Sequence, residues 1–237
     1  MGLTAGQFGA FIAAIARIGG MVATAPVIGD SGVSARAKLV FVLAAAFAVA
    51  ANHPEVDQDA LIPTMLVELA VGLATGASAR FVFSRIAIAG QIMGFSLGLG
   101  FASQYDPHAG ENAGTIRSLL TAVAGLAFIG AGGLEAIVRG AAAHPAQVTD
   151  LAGVIPQALA DGTAAFGRGF AIAAPIVFAS AVGNLGLAVM NRAAPAVNVF
   201  SVALPAVLVV GGLLLLGSAN ELVATTFDTA RDAIARF

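Results

Sequence analysis

Cysteine is absent from this chain and charge is scarce. Without cysteine there is no disulfide, no thiolate metal site and no cysteine nucleophile. Charged residues make up 10% of the sequence, against about a quarter in a soluble domain, so a normal hydrated surface is excluded. A net charge of −2 with no basic stripe excludes a nucleic-acid footprint. Enzyme signatures are missing too: there is no G-x-S-x-G, no H-E-x-x-H and no P-loop. His53, His108 and His144 fall in separate loops, and two of them directly precede proline, as turns prefer. Nothing in the chain asks for a cofactor or a metal, and no internal repeat divides it.

What remains is apolar. Hydrophobic residues make up 59% and mean hydropathy is +0.93, which places the chain in a membrane or in a membrane-embedded complex. Apolar runs fall near 5–28, 39–51, 61–79, 86–104, 118–138, 169–190 and 198–219. The expectation is an all-α fold of about six to seven apolar helices arranged as hairpins, in a single domain over residues 1–237. The first run carries Arg17 and lacks the basic start of a cleaved leader, so it reads as a retained helix. The run at 39–51 is short for a crossing, and Asn52-His53-Pro54 stops it. Arg139–Arg168 reads as the longest connection, with a weak helix pattern in Leu151, Ile155 and Leu159. If every run crossed, Arg36, Lys38, Arg80, Arg85, Arg139, Arg168, Arg231 and Arg236 would share one side, leaving the N-terminus outside. From 219 to 237 the pattern changes: Val223, Phe227, Ala230, Ile234 and Phe237 recur at helical spacing. This is an amphipathic helix that lies on a membrane, docks on a partner or simply ends the fold.

Four features could carry function. Gly90, Gly94 and Gly98 recur every fourth residue, and Gly72 and Gly76 repeat the device, so small residues line one helix face and admit close neighbours. Glu68 shares that face with Gly72 and Gly76. A carboxylate in an apolar run must be paired, protonated or wet; Arg17 is the other charge deep in such a run, and the two either pair or snorkel separately. The polar stretch Ser103, Gln104, Tyr105, Asp106, Pro107, His108, Ala109, Gly110, Glu111 and Asn112 breaks the helix at Asp106-Pro107. Asp106, His108 and Glu111 match no strong metal spacing, leaving a solvated turn or a lid over an aqueous path. Finally, Asn191, Arg192 and Pro195 separate the last two apolar runs and join them as a hairpin, with Asn198 and Pro205 inside its second arm.

In order along the chain, ARIGGMVATAPVIG at 16–29, VSARAKLVFVLA at 33–44, VELAVGLATG at 67–76, GQIMGFSLGLGFASQYDP at 90–107 and NRAAPAVNVFSVALP at 191–205 resemble the FliR family of flagellar export-gate proteins, called SctT in injectisomes. The likeness runs from about Ile15 to Gly217, and the uncharged MGFSLGLGFA leans to the flagellar branch. The loop after Pro107 lacks the bulky apolar residues frequent in this family, and alanine is unusually abundant. The resemblance implies a subunit of the type III export gate in the bacterial inner membrane, at the flagellar basal body. It implies FliP-type and FliQ-type subunits as partners, with FlhB-type and FlhA-type export proteins beside them. Unfolded flagellar proteins would pass through the central channel, and residues 103–112 would plug the closed pore. In such an assembly the helices form inclined hairpins buried against sister subunits as well as lipid, which conflicts with the simple crossing topology. The competing reading is a small-solute secondary transporter, which suits glycine- and proline-interrupted helices around a buried carboxylate.

Overall fold

The computed structural model describes residues 4–50, 54–98, 114–143, 145–193 and 209–237. They form helices α1 (Ala5–Thr24), α2 (Ala35–Ala50), α3 (Leu61–Ser96), α4 (Thr115–Gly130), α5 (Gly133–Ala142), α6 (Val148–Ala193), α7 (Val209–Gly217) and α8 (Ala219–Ile234). A single 3-10 turn, Gln58–Ala60, leads into α3. No strand occurs among the described residues, so the all-α expectation holds.

Local chemistry sets several boundaries. Thr4 caps α1 in a reciprocal capping box with Gln7, which satisfies two backbone donors that the first turn leaves open. Gly98 takes φ +73° just past the end of α3, and its N–H donates to Phe95 O at 3.1 Å; a left-handed residue here is how helices commonly terminate. Gly132 at φ +85° separates α4 from α5, and the two helices bend by 52°.

Three sequence expectations change. The runs at 61–79 and 86–104 are one helix of 36 residues, α3. Arg80 and Arg85 lie inside it, because isolated arginines within an apolar run do not interrupt the backbone ladder. The stretch expected as the connection Arg139–Arg168 is largely helical: α5 covers Arg139, and α6 starts at Val148 and runs 46 residues through Pro156 and Pro175. The positive-inside count therefore loses its loops, since Arg80, Arg85 and Arg168 are all helical.

Length bears on the environment. At 1.5 Å per residue, α3 is about 54 Å long and α6 about 69 Å, while the hydrocarbon core is about 30 Å thick. Among the described residues three helices are long and apolar enough to cross a membrane (Ala5–Thr24, Gln58–Ser96 and Val148–Met190), or up to five if each bent pair counts as a span. In the apolar window of the last of these only 17% is buried inside the chain. Phe47, Phe178, Leu185 and Val189 stand with two-thirds or more of their surface free. Such faces belong against lipid or against other protein chains.

Contacts divide the described residues into two compact units interleaved in sequence. The first comprises residues 1–83, 125–164 and 230–237. Its core pairs Ala14, Ile18, Met21 and Val22 of α1 with Val42, Ala45, Ala46 and Val49 of α2, closed by Ile137 and Ala141 of α5. The second comprises residues 84–124 and 165–229.

Candidate functional site

In the first unit, α1 and α3 run side by side in one direction. Arg17, Gly20, Met21 and Thr24 recur at three and four residues and so share one face of α1. The matching face of α3 carries Glu68, Gly72 and Gly76. Backbones approach closely because both faces lack side-chain bulk. A methyl group built on Gly72 would fall on Arg17 O, one on Gly76 on Thr24 Oγ1, and one on Gly20 would lie 2.8 Å from Leu69 O. Thr24 Oγ1 sits 3.1 Å from Leu73 O and 3.0 Å from Gly20 O, within reach to share its proton across the contact.

Glu68 and Arg17 lie at one end of this seam. Arg17 Nη1 is 3.5 Å from Glu68 Oε2, with the two side chains 6% and 1% exposed. Arg17 Nη2 donates to Gly140 O at 3.3 Å, and the Ala146 N–H donates to Glu68 Oε1 at 2.8 Å. One buried charge pair thus ties α1 and α3 to the end of α5 and to the approach to α6. A charge pair so far from water is stable only when its remaining donors and acceptors are satisfied, and the two backbone groups contribute to that. Gly140 and Ala146 carry no sequence mark of this role, so the node was only half visible.

A second buried carboxylate was missed altogether. Asp161 on α6 is 3% exposed. It accepts from Ser78 Oγ at 2.6 Å, from Gln157 Nε2 at 3.1 Å and from Arg236 Nη2 at 2.8 Å. The one available signal was an aspartate four residues past a polar Gln157 in an otherwise apolar pattern. A third ion pair, Arg80 with Asp30 at 2.6 Å, is nearly half exposed on both sides. Exposed pairs contribute about 0.2–1 kcal/mol, so Arg80→Gln is expected to leave thermal unfolding of the purified protein within a few degrees of wild type.

In the second unit a methyl on Gly90 would lie 2.7 Å from Arg117 Cα of α4. Gly94 and Gly98 do not continue that contact, since among the described residues a methyl on either meets nothing within 4 Å. For Gly98 the reason is plain, because α3 ends at Ser96 and a glycine beyond the helix no longer lies on its face. A methyl on Gly169 would lie 2.9 Å from Arg85 O, a close approach outside the four-residue pattern. An apolar cavity of about 270 Å³ lies between Leu97, Ser180, Gly183, Met190 and Leu214. Its one hydroxyl, on Ser180, already donates to Ser96 O at 2.8 Å.

Asn191 and Arg192 sit in the last turn of α6 rather than in a turn between helices, since neither residue type stops a helix alone. Pro195 lies outside the described residues, as does the whole expected plug, Ser103, Gln104, Tyr105, Asp106, Pro107, His108, Ala109, Gly110, Glu111 and Asn112. No cluster of three or more potential metal ligands occurs among the described residues.

Comparison with known proteins adds a second line. The profile of the family described as "Bacterial export proteins, family 1" matches residues 8–232. The flagellar biosynthetic protein FliR of Caulobacter vibrioides is 30% identical over 99% of this chain and 98% of its own length. The FliR proteins of Escherichia coli, at 27% identity over 88% of this chain and 83% of theirs, and of Aquifex aeolicus, at 30% over 70% and 66%, are similar in the same way.

Proposed function

The chain belongs to family 1 of the bacterial export proteins, the FliR group, and from that premise we propose that it is the FliR-type subunit of a flagellar type III export gate. The observation that carries the proposal is the continuous family match over residues 8–232. Membership places it among flagellar export subunits of the inner membrane rather than among enzymes. FliP-type and FliQ-type subunits build the gate with it, FlhB-type and FlhA-type proteins adjoin it, and unfolded flagellar proteins pass through the shared channel. The exposed apolar faces of α2 and α6 support this reading, because a lone chain leaves them uncovered. The packed glycine seam supports it as well: a helix pair fixed by backbone contact gives a channel wall that holds its shape.

Residues 103–112 serve in this proposal as the stopper of the closed channel. Deleting Gln104–Glu111 is expected to raise leakage of small ions or dye in cells that express the whole gate. Unchanged permeability in a correctly assembled mutant gate rejects the stopper role. Co-purification tests the subunit role separately: the chain should leave the membrane with other small hydrophobic chains, and isolation as a self-sufficient monomer in detergent counts against it.

The transporter reading draws less support. A site for a polar solute needs several convergent polar groups. The cavity beside Ser180 offers one hydroxyl that is already engaged, and Glu68 is fully buried against Arg17 and a backbone amide.

A further inference from the structure

We propose that, within the first unit, Arg236 and Phe237 form a detachable latch that holds residues 230–237 in place, closing against Asp161 and Gly140. Arg236 and Phe237 follow the last helical position, Ile234, in a terminal turn whose N–H groups bond back to Ala233 O and Ile234 O at 3.2 and 3.1 Å. They hold at two points. Arg236 reaches Asp161 Oδ1 at 2.8 Å. Phe237 packs edge-on to Phe128 with ring centres 6.4 Å apart, and its backbone lies on Gly140, where a methyl group would strike the Phe237 carbonyl. Behind these contacts Ala230 and Ala233 are buried, at 1% and 0% exposure.

Two features distinguish a latch from a fixed core pair. When Arg236 leaves, Asp161 keeps two side-chain hydrogen bonds, from Ser78 and Gln157, whereas among the described residues Glu68 without Arg17 keeps one, from the Ala146 N–H. The Arg236 side chain in turn is 29% exposed, against 6% for Arg17, and so within reach of water. Opening therefore costs less than breaking a sealed pair. Gly140 connects the latch to the buried node, because its carbonyl accepts from Arg17 while its α-carbon faces Phe237.

The chain has no native cysteine, so single cysteines can report on closure. In the full chain, in membranes of cells that also make its partner subunits, Ala233→Cys reports on the latch. Ala46→Cys, at a position 0% exposed in the α1–α2 core, reports on global unfolding. With the latch intact both thiols should resist N-ethylmaleimide. Arg236→Gln, or Gly140→Ala, should speed labelling at position 233 by tenfold or more and leave position 46 protected. Labelling of position 233 within twofold of the parent in both variants overturns the latch. Equal acceleration at both positions also overturns it, because the tail would then be a fixed part of the core.

Discussion

Glu68→Ala should be the most damaging single exchange of a charged residue in this chain. The subunit is expected to lose about 3–5 kcal/mol of stability, the usual cost of removing one member of a buried pair. Arg17 would remain with its guanidinium almost sealed from water, at 6% exposure. The Ala146 N–H would lose its acceptor as well, adding about 1–3 kcal/mol if it stays buried. At 3.5 Å the Arg17–Glu68 contact is long for a charge-assisted hydrogen bond, so its direct attraction is modest. The penalty arises instead from the stranded charge. That distinction has a consequence. Arg17→Met alone should be nearly as harmful as Glu68→Ala, while the double exchange Arg17→Met with Glu68→Leu should recover much of the loss, since volume is kept and no charge remains to be stranded. Steady-state amount of the subunit and heat-induced aggregation of the detergent-solubilised complex would measure this. A double variant as unstable as the sum of the singles would show that the two residues act separately.

The comparison of sequence with structure follows the physics of each signal. Helical class was legible because apolar composition and spacing are properties of the chain itself. Glu68 and Arg17 stood out because charge in an apolar run is costly wherever it lies. Helix boundaries were poorer guides. Arg80 and Arg85 read as a loop between two runs, yet arginine has good helix propensity and α3 passes through both. The same error made a connection of the start of α6, where Pro156 sits two turns inside the helix. Asp161 escaped notice because nothing local shows that Ser78, 83 residues away, would donate to it. The glycine rows were half informative: spacing identifies a face, but only a neighbour makes that face a contact. Gly72, Gly76 and Gly90 have such a neighbour among the described residues, and Gly94 and Gly98 do not.

Gly72→Leu is expected to abolish folding of the subunit and, with it, motility, whereas Gly94→Ala should pass with little effect. The contrast isolates contact from pattern, since both glycines sit in four-residue rows on the same helix. At Gly72 even the first side-chain carbon falls on the Arg17 carbonyl, which is backbone and cannot rotate away. Forcing extra atoms into a packed seam typically costs about 1–3 kcal/mol, occasionally more. Here α1 and α3 must separate to admit them, and separation reaches beyond the seam. Glu68 lies one turn before Gly72, so moving α3 away from α1 also lengthens the 3.5 Å Arg17–Glu68 contact. Thr24 would lose its approach to Leu73 O. At Gly94 a methyl meets no described atom within 4 Å, and alanine has the better helix propensity, by about 1 kcal/mol. Gly72→Ala should fall between the two, with less assembled subunit and weaker swarming. If Gly72→Leu accumulates to the wild-type level and supports motility, the α1–α3 seam does not hold this protein together.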